Sequence, residues 1–232
     1  MKIAIMQPYF FPYIGYFQLI NSVNKFIFYD DVNFIKGGWI NRNRILVNNF
    51  PSYINVEMKG ASSFRKIKEV EVNTNYIWRK KMLSTIFLNY KHAPNHSAVF
   101  SLIENVMNND YKYLNDYIKN SIIATCNYLN IDTEIIESSL VYQNSELNGK
   151  ERVLSICEKE KACNYINLIG GKELYKKEDF LKRNIELSFL QTQFKAYKQF
   201  NNEYVAGLSI VDVMMFNSKE EIKELLDQYE LI

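Results

Sequence analysis

Ile3-Ala4-Ile5-Met6-Gln7-Pro8-Tyr9-Phe10-Phe11-Pro12-Tyr13-Ile14-Gly15-Tyr16 begins as a short apolar strand, breaks at two prolines and ends where a helix starts. Strand, polar-aromatic loop and helix in that order is how open α/β sheets build ligand sites, because the loop sits at the carboxyl edge of the strand. The loop is also apolar for a surface connection. It therefore packs inward or lines a pocket.

Outward from this stretch, short apolar runs bounded by polar or glycine signals fall at residues 2–6, 26–29, 45–47, 53–58, 134–136, 165–168 and 186–189. Such runs suit buried parallel strands. Helices are expected at 14–21, 77–89, 98–107, 111–128, 151–161, 177–183, 210–216 and 219–229. In the fourth of these, Tyr113, Tyr117, Ile118, Ile122 and Ile123 recur at three- and four-residue spacing, the mark of an amphipathic helix. Strands cluster early, three helices fill the middle, and βα alternation returns after residue 131. That order predicts an α/β fold: a Rossmann-like, mainly parallel sheet in one domain over residues 1–232, with a helical segment inserted at about 76–130.

An apolar fraction of 47% in 232 residues is enough for one sizeable core. A formal charge of +2 gives no electrostatic argument for nucleic acid or an anionic membrane. No run approaches the ~18 apolar residues of a membrane span, and the N-terminus enters a strand without a signal-peptide pattern. Three cysteines without CxxC spacing indicate neither a disulfide framework nor zinc. His92 and His96 flank Pro94, which interrupts the helix that a histidine metal pair needs. The expectation is a reduced, cytoplasmic chain with no metal, no nucleic acid partner and no membrane span.

Polar candidates collect after four proposed strands. Gln7-Pro8-Tyr9 follows the first, Asp30-Asp31 the second, Ser138-Ser139 the 134–136 strand, and Gly170-Gly171-Lys172 the 165–168 strand. If these strands are parallel, all four loops open on the sheet edge where ligands bind. Neighbouring carboxylates at a strand end point to opposite faces. One of Asp30 and Asp31 is therefore expected as a general base or ligand anchor while the other caps a turn. The alternative is a pair of solvated turn residues. Lys36-Gly37-Gly38-Trp39-Ile40-Asn41-Arg42-Asn43-Arg44 gathers donors around a tryptophan, with glycines for a tight path and arginine forks suited to phosphate or carboxylate. It reads as a binding segment or a basic hairpin loop. Gly170-Gly171 offers backbone amides to a phosphate, or simply a turn. Ser209-Ile210-Val211-Asp212 has the spacing of a helix cap, with a substrate contact as the other reading for Asp212.

Several of these stretches resemble the signature of the WbqC-like family. The resemblance rests on residues 6–16, on Tyr29-Asp30-Asp31-Val32 with Lys36, and on Trp39-Ile40-Asn41-Arg42-Asn43-Arg44-Ile45. It continues through Trp78, Tyr90 with Ala93-Pro94, Ser138-Ser139, Glu151-Arg152, Tyr165, Tyr197-Lys198-Gln199-Phe200, Leu208-Ser209-Ile210-Val211-Asp212 and Phe216-Asn217, and so covers essentially the whole chain. Two departures are Ala206-Gly207, where a proline is usual, and Met82, where histidine is frequent. A more distant resemblance is to nucleotidylyltransferase-like Rossmann folds. There Pro12 and Tyr16 stand where an HxGH motif has its histidines, so the architecture is expected without adenylyl transfer.

The WbqC-like resemblance implies acyl or aminoacyl transfer, glycyl transfer included, to a nucleotide-linked 4-amino-4,6-dideoxy sugar in O-antigen or surface polysaccharide synthesis. The donor would be a phosphopantetheine-linked thioester on an acyl carrier protein, with no tightly bound cofactor. In such a site Asp30 or Asp31 is expected as base or amine anchor, and Gln7, Tyr9 and Asn41 as polar contacts. Lys36, Arg42 and Arg44 are expected on a diphosphate, and Tyr13, Tyr16 and Trp39 stacked on sugar or base. Ser138, Ser139, Gly170, Gly171 and Asp212 complete the expected set. The alternatives are a non-catalytic nucleotide-sugar binding or scaffold protein, and a residual nucleotidyltransferase or ligase-like enzyme.

Overall fold

The computed structural model describes residues 1–200 and 203–232. In chain order they form β1 (Lys2–Met6), α1 (Ile14–Asn21), β2 (Lys25–Phe28), β3 (Arg42–Val47), β4 (Phe50–Asn55), β5 (Met58–Lys59) and β6 (Glu71–Val72). There follow α2 (Ile77–Tyr90), α3 (His96–Met107), α4 (Leu114–Leu129), β7 (Glu134–Ile136), α5 (Gly149–Lys159) and β8 (Asn164–Leu168). The chain closes with α6 (Lys177–Leu181), β9 (Glu186–Thr192), α7 (Ile210–Phe216), α8 (Lys219–Leu226) and β10 (Tyr229–Leu231).

Six strands make the central sheet in the order β10-β9-β8-β1-β2-β7. Pairing is parallel from β9 to β7, with Ile3 opposite both Lys25 and Tyr165, and antiparallel only at β10. The chain therefore winds outward from β1 through β2 to β7, returns past β1, and winds the other way through β8 to β9. This is the doubly wound order, and it reverses between β1 and β8. Ile3, Ile5, Ile27, Leu187 and Phe189 face the core beneath α5 and α6, whereas Ala4, Phe26, Phe28 and Leu190 face the larger core on the other side. Both faces are covered, which is why the strands read as continuous apolar runs. Each fully buried phenylalanine contributes about 1.5–3 kcal/mol by leaving water.

Two local expectations change. Residues 219–229 read as one helix, but α8 ends at Leu226, and Tyr229 to Leu231 pair with the open edge of β9. Hydrogen bonding along that edge outweighs continuation of a helix whose apolar face ends at Leu226. The segment 36–44 read as a loop, but its second half belongs to β3. Asn48 and Asn49 both adopt left-handed φ angles of 49° and 69°, the geometry of a tight hairpin turn that brings β4 directly against β3. The connection from β2 to β7 therefore carries the β3–β4 hairpin and the β5–β6 pair as well as α2, α3 and α4.

Candidate functional site

β1, β2, β7 and β8 are mutually parallel, so the four loops that follow them do open on one sheet edge. That edge is built in two different ways on the two sides of β1.

On the β2 and β7 side the edge is closed by charge. Asp30 and Asp31 are consecutive and turn to opposite faces. Asp30 accepts hydrogen bonds from Asn115 Nδ2 at 2.9 Å and Ser138 Oγ at 2.7 Å, and pairs with Lys119 Nζ at 2.8 Å. Asp31 accepts from the Arg152 guanidinium at 2.5 Å, Ser139 Oγ at 2.5 Å and Ser145 Oγ at 3.0 Å. Both carboxylates are buried. Burial alone would raise the Asp31 pKa, but Arg152 and the two serine hydroxyls overcome it and hold the carboxyl below its usual range. The pair fastens α4 on one face and α5 on the other to the end of β2.

On the β1, β8 and β9 side the edge opens into a cleft of about 340 Å³. The first loop supplies Tyr9, Pro12 and Tyr13; Trp39 and Asn43 come from the segment entering the hairpin. Ile169 follows β8, and Gln191 and Thr192 end β9. Phe194 and Gly207 lie on the segment that runs from β9 to α7. The walls are mainly aromatic, and the polar groups among them are uncharged. Burial, with Tyr13 nearby, pushes the Tyr9 phenol up to about 12, and burial raises that of Tyr13. At neutral pH both are protonated donors. Two buried donors beside the cleft, Thr192 Oγ1 and Arg44 Nε, have no partner in full hydrogen-bonding geometry among the described residues, although the Thr192 hydroxyl lies close enough to the Tyr13 phenol to work against burial and lower its pKa. The Arg44 guanidinium lies 5.6 Å from the Trp39 ring centre, behind the cleft rim.

Gly15 sets the shape of this wall. A Cβ there would lie 2.2 Å from Thr192 Oγ1 and 2.4 Å from the Tyr13 ring, so only glycine admits both side chains. Phe11, fully buried, holds a left-handed φ of 37° that bulky residues avoid. Three elements hold it there. Its N–H donates to Ser121 Oγ at 3.1 Å, and its carbonyl accepts from Asn43 Nδ2 at 3.0 Å and Ser209 Oγ at 2.7 Å. Ser209 also donates its N–H to the Arg44 carbonyl, and Ile210 donates to that of Pro12. The cleft loop, hairpin and α7 thus meet around Ser209. The side chain of Asp212 lies behind this junction. It accepts from Tyr90 and Tyr197 hydroxyls and Gln199 Nε2, each at 2.7 Å, with no cation among its partners. Burial raises its pKa, and the three donors only partly offset that.

The model of the WbqC-like protein family matches residues 7–224, from the cleft loop into α8. The chain belongs to the WbqC-like family. A relative, the uncharacterized protein Rv1507c of Mycobacterium tuberculosis, is 27% identical over 229 residues, covering 97% of both chains. No solved structure matches.

Of the site residues expected in this WbqC-like chain, Tyr9, Tyr13 and Trp39 line the cleft, and Arg44 stands at its rim. The others lie elsewhere. Asp30 and Asp31 do not face the cleft as a base or amine anchor; they and the expected substrate contacts Ser138 and Ser139 bond to one another. Tyr16 is fully buried and donates to the Gln7 carbonyl at 2.9 Å, so it packs rather than stacks on a ligand. Gln7 itself is half-buried beneath the loop. Arg42 donates to the Gly37 and Gly38 carbonyls and lies over Tyr53, so its fork holds its own turn. Lys36 and Asn41 line a separate groove with Arg42, and Asn41 donates to Val56. Gly171 packs on Asn167, whereas Gly170 is open beside Ile169. Asp212 is a buried brace. Among the described residues no three His, Cys, Asp or Glu side chains gather to hold a metal, and no helix is long and apolar enough to cross a membrane.

Sequence reading missed Gln191, Thr192 and Phe194. A signal existed: if β9 is parallel, its carboxyl end must open on the same edge. The expected strand stopped at Phe189, three residues short of Thr192.

Proposed function

We propose that the cleft receives a nucleotide-linked 4-amino-4,6-dideoxy sugar and that the protein transfers an acyl or aminoacyl group to its amino nitrogen in surface polysaccharide synthesis. The observation that carries the ligand class is the lining of the switch-point cleft. Aromatic walls from Tyr9, Tyr13 and Trp39 suit a sugar or base, Thr192 and Gln191 suit hydroxyls, and the Arg44 guanidinium behind Trp39 places a positive charge close to the wall. The acyl chemistry follows the family resemblance. In it the amine nitrogen attacks the thioester carbonyl, the oxyanion collapses, the C–S bond breaks, and the carrier thiol leaves with a proton. The Thr192 hydroxyl and Arg44 Nε–H are donors of the kind that an oxyanion needs.

One observation favours a second reading. No carboxylate, histidine or cysteine is among the cleft-lining residues, so the site supplies no obvious base to the ammonium form of the substrate. A non-catalytic nucleotide-sugar carrier within a glycan-assembly complex needs none. The test incubates purified protein with a glycyl-loaded carrier and a dTDP-linked 4-amino sugar, and follows product by mass spectrometry. Growth of a product heavier by one glycyl residue, lost in Thr192→Val/Arg44→Gln, supports transfer. Calorimetric binding of the sugar nucleotide without product, over a range of acyl donors, supports the carrier reading.

A further inference from the structure

The formal charge of +2 conceals a segregation. Residues 32–70, which run from the end of β2 through the hairpin to β6, hold seven cations (Lys36, Arg42, Arg44, Lys59, Arg65, Lys66 and Lys68) against Glu57 and Glu69. That is +5, and the rest of the chain carries −3. Elsewhere many cations have found carboxylates, among them Lys25, Arg79, Lys119, Lys150, Arg152 and Arg183. None of the seven pairs with a carboxylate within 4.0 Å among the described residues. Lys36, Arg42, Lys59, Arg65 and Lys66 lie on neighbouring strands and turns, whereas Arg44 turns toward Trp39 and the cleft. Phe34 N–H bonds the Arg65 carbonyl, Ile67 N–H bonds that of Val32, and Lys66 Nζ reaches Asn33. Lys36, Arg42 and Met58 border one open groove of about 500 Å³.

Apolar side chains stand exposed among these charges: Phe64 at 92%, Ile35 at 53% and Tyr53 at 51%. Isolated exposed apolar residues need no explanation, but here they share a segment with unpaired cations. Trp39 of the same segment lines the cleft and packs against Tyr53, whose ring Arg42 covers, so this segment bridges the groove and the cleft.

We propose that this face docks a small acidic protein whose flexible arm reaches the cleft past Trp39. The proposal rests on the acyl-transfer reading for the identity of that arm, a thioester-bearing phosphopantetheine. Charge complementarity supplies the orientation and the rate of encounter, and Phe64 and Ile35 supply apolar contact at the centre. A protein partner fits better than nucleic acid. Glu57 lines the groove beside Lys36 and Arg42, where it would repel a phosphate backbone running along it, and the exposed aliphatic Ile35 has no face on which a base could stack.

The test uses the full chain, an acidic acyl carrier protein in its phosphopantetheine form, and a charge-reversed variant, Lys59→Glu/Arg65→Glu/Lys66→Glu. Lys59 and Arg65 are exposed, and the Lys66 side chain makes one exposed hydrogen bond, so circular dichroism should show an unchanged fold. Thermophoresis at low salt should show carrier binding by the wild type, weakened about tenfold or more in the variant and by added salt. Calorimetric affinity for the sugar nucleotide should be the same in both. Equal carrier binding by the variant, no binding by the wild type, or tighter binding of a single-stranded oligonucleotide than of the carrier would each overturn the docking. The two readings separate cleanly. Charge-sensitive carrier binding without product leaves the docking standing and removes the transferase. Product formed by the variant at an unchanged carrier KM does the reverse.

Discussion

The two halves of one sheet edge follow opposite designs. Beside β2 and β7, Asp30 and Asp31 meet a cation each and three serine hydroxyls between them, so both carboxylates are answered from within, although Asn115 Oδ1 beside them has no partner among the described residues. Beside β1, β8 and β9, the edge leaves about 340 Å³ open, and two buried donors wait without acceptors. Saturated polar networks rigidify, whereas buried donors beside a cleft stand ready for an acceptor on a ligand or an ordered water. Carboxylates are the more conspicuous feature in the sequence. In the fold they belong to the half that does the holding.

The largest expected effect falls on the closed half. Arg152→Met strands the Asp31 carboxylate in the interior, and urea unfolding should show a loss of about 3–5 kcal/mol. Sugar-nucleotide binding by the protein that remains folded should persist. In the open half, Gly15→Ala forces Thr192 or Tyr13 aside and should cost about 1–3 kcal/mol by overpacking, with weakened ligand binding. If that variant bound ligand as well as the wild type, the wall around Gly15 would not be part of the site. Thr192→Val should divide function from stability. It removes an unpaired hydroxyl, so stability should hold or rise, while binding falls about three- to tenfold for one hydrogen bond.

The smallest effect is one of pH, and the two buried aspartates should act with opposite sign. Asp31 has a lowered folded pKa, so its contribution is complete above the unfolded value of about 3.9 and is lost as pH falls through the lower folded one. Asp212 has a raised folded pKa, so its ionisation opposes folding at neutral pH, and that penalty fades as pH falls through the raised value toward about 3.9. Urea titrations between pH 3 and 7 should show stability rising slightly on acidification and then falling. Asp212→Asn should remove the rise, and Asp31→Asn the part of the fall due to that carboxyl.

The sheet was legible because its central strands are buried on both faces and bounded by turn signals, as residues 2–6 and 165–168 show. The half-exposed hairpin was read less well. Its register is fixed by Asn48 and Asn49 in left-handed conformations, a signal weaker in sequence than Asn-Gly. β10 was hidden inside a helical pattern because an edge strand of three residues has no period of its own. For the cleft, Tyr9, Tyr13 and Trp39 were legible as lining, whereas Tyr16 looked the same in sequence and, like Phe10 and Phe11 of the same loop, is buried in the core. Asp30 and Asp31 misled because their partners, Lys119 and Arg152, are 89 and 121 positions away. Thr192 was invisible for the complementary reason: an unpaired hydroxyl is defined by what surrounds it.

The central claim is that ligand binds where the edge is open and not where its carboxylates lie. Calorimetry with a dTDP-linked 4-amino sugar tests it on the wild type, on Thr192→Val/Arg44→Gln and on Asp30→Asn. The account predicts binding by the wild type, loss of binding in the cleft variant, and affinity within about threefold of wild type in folded Asp30→Asn. Retained binding in the cleft variant, together with loss in a folded Asp30→Asn, would contradict it.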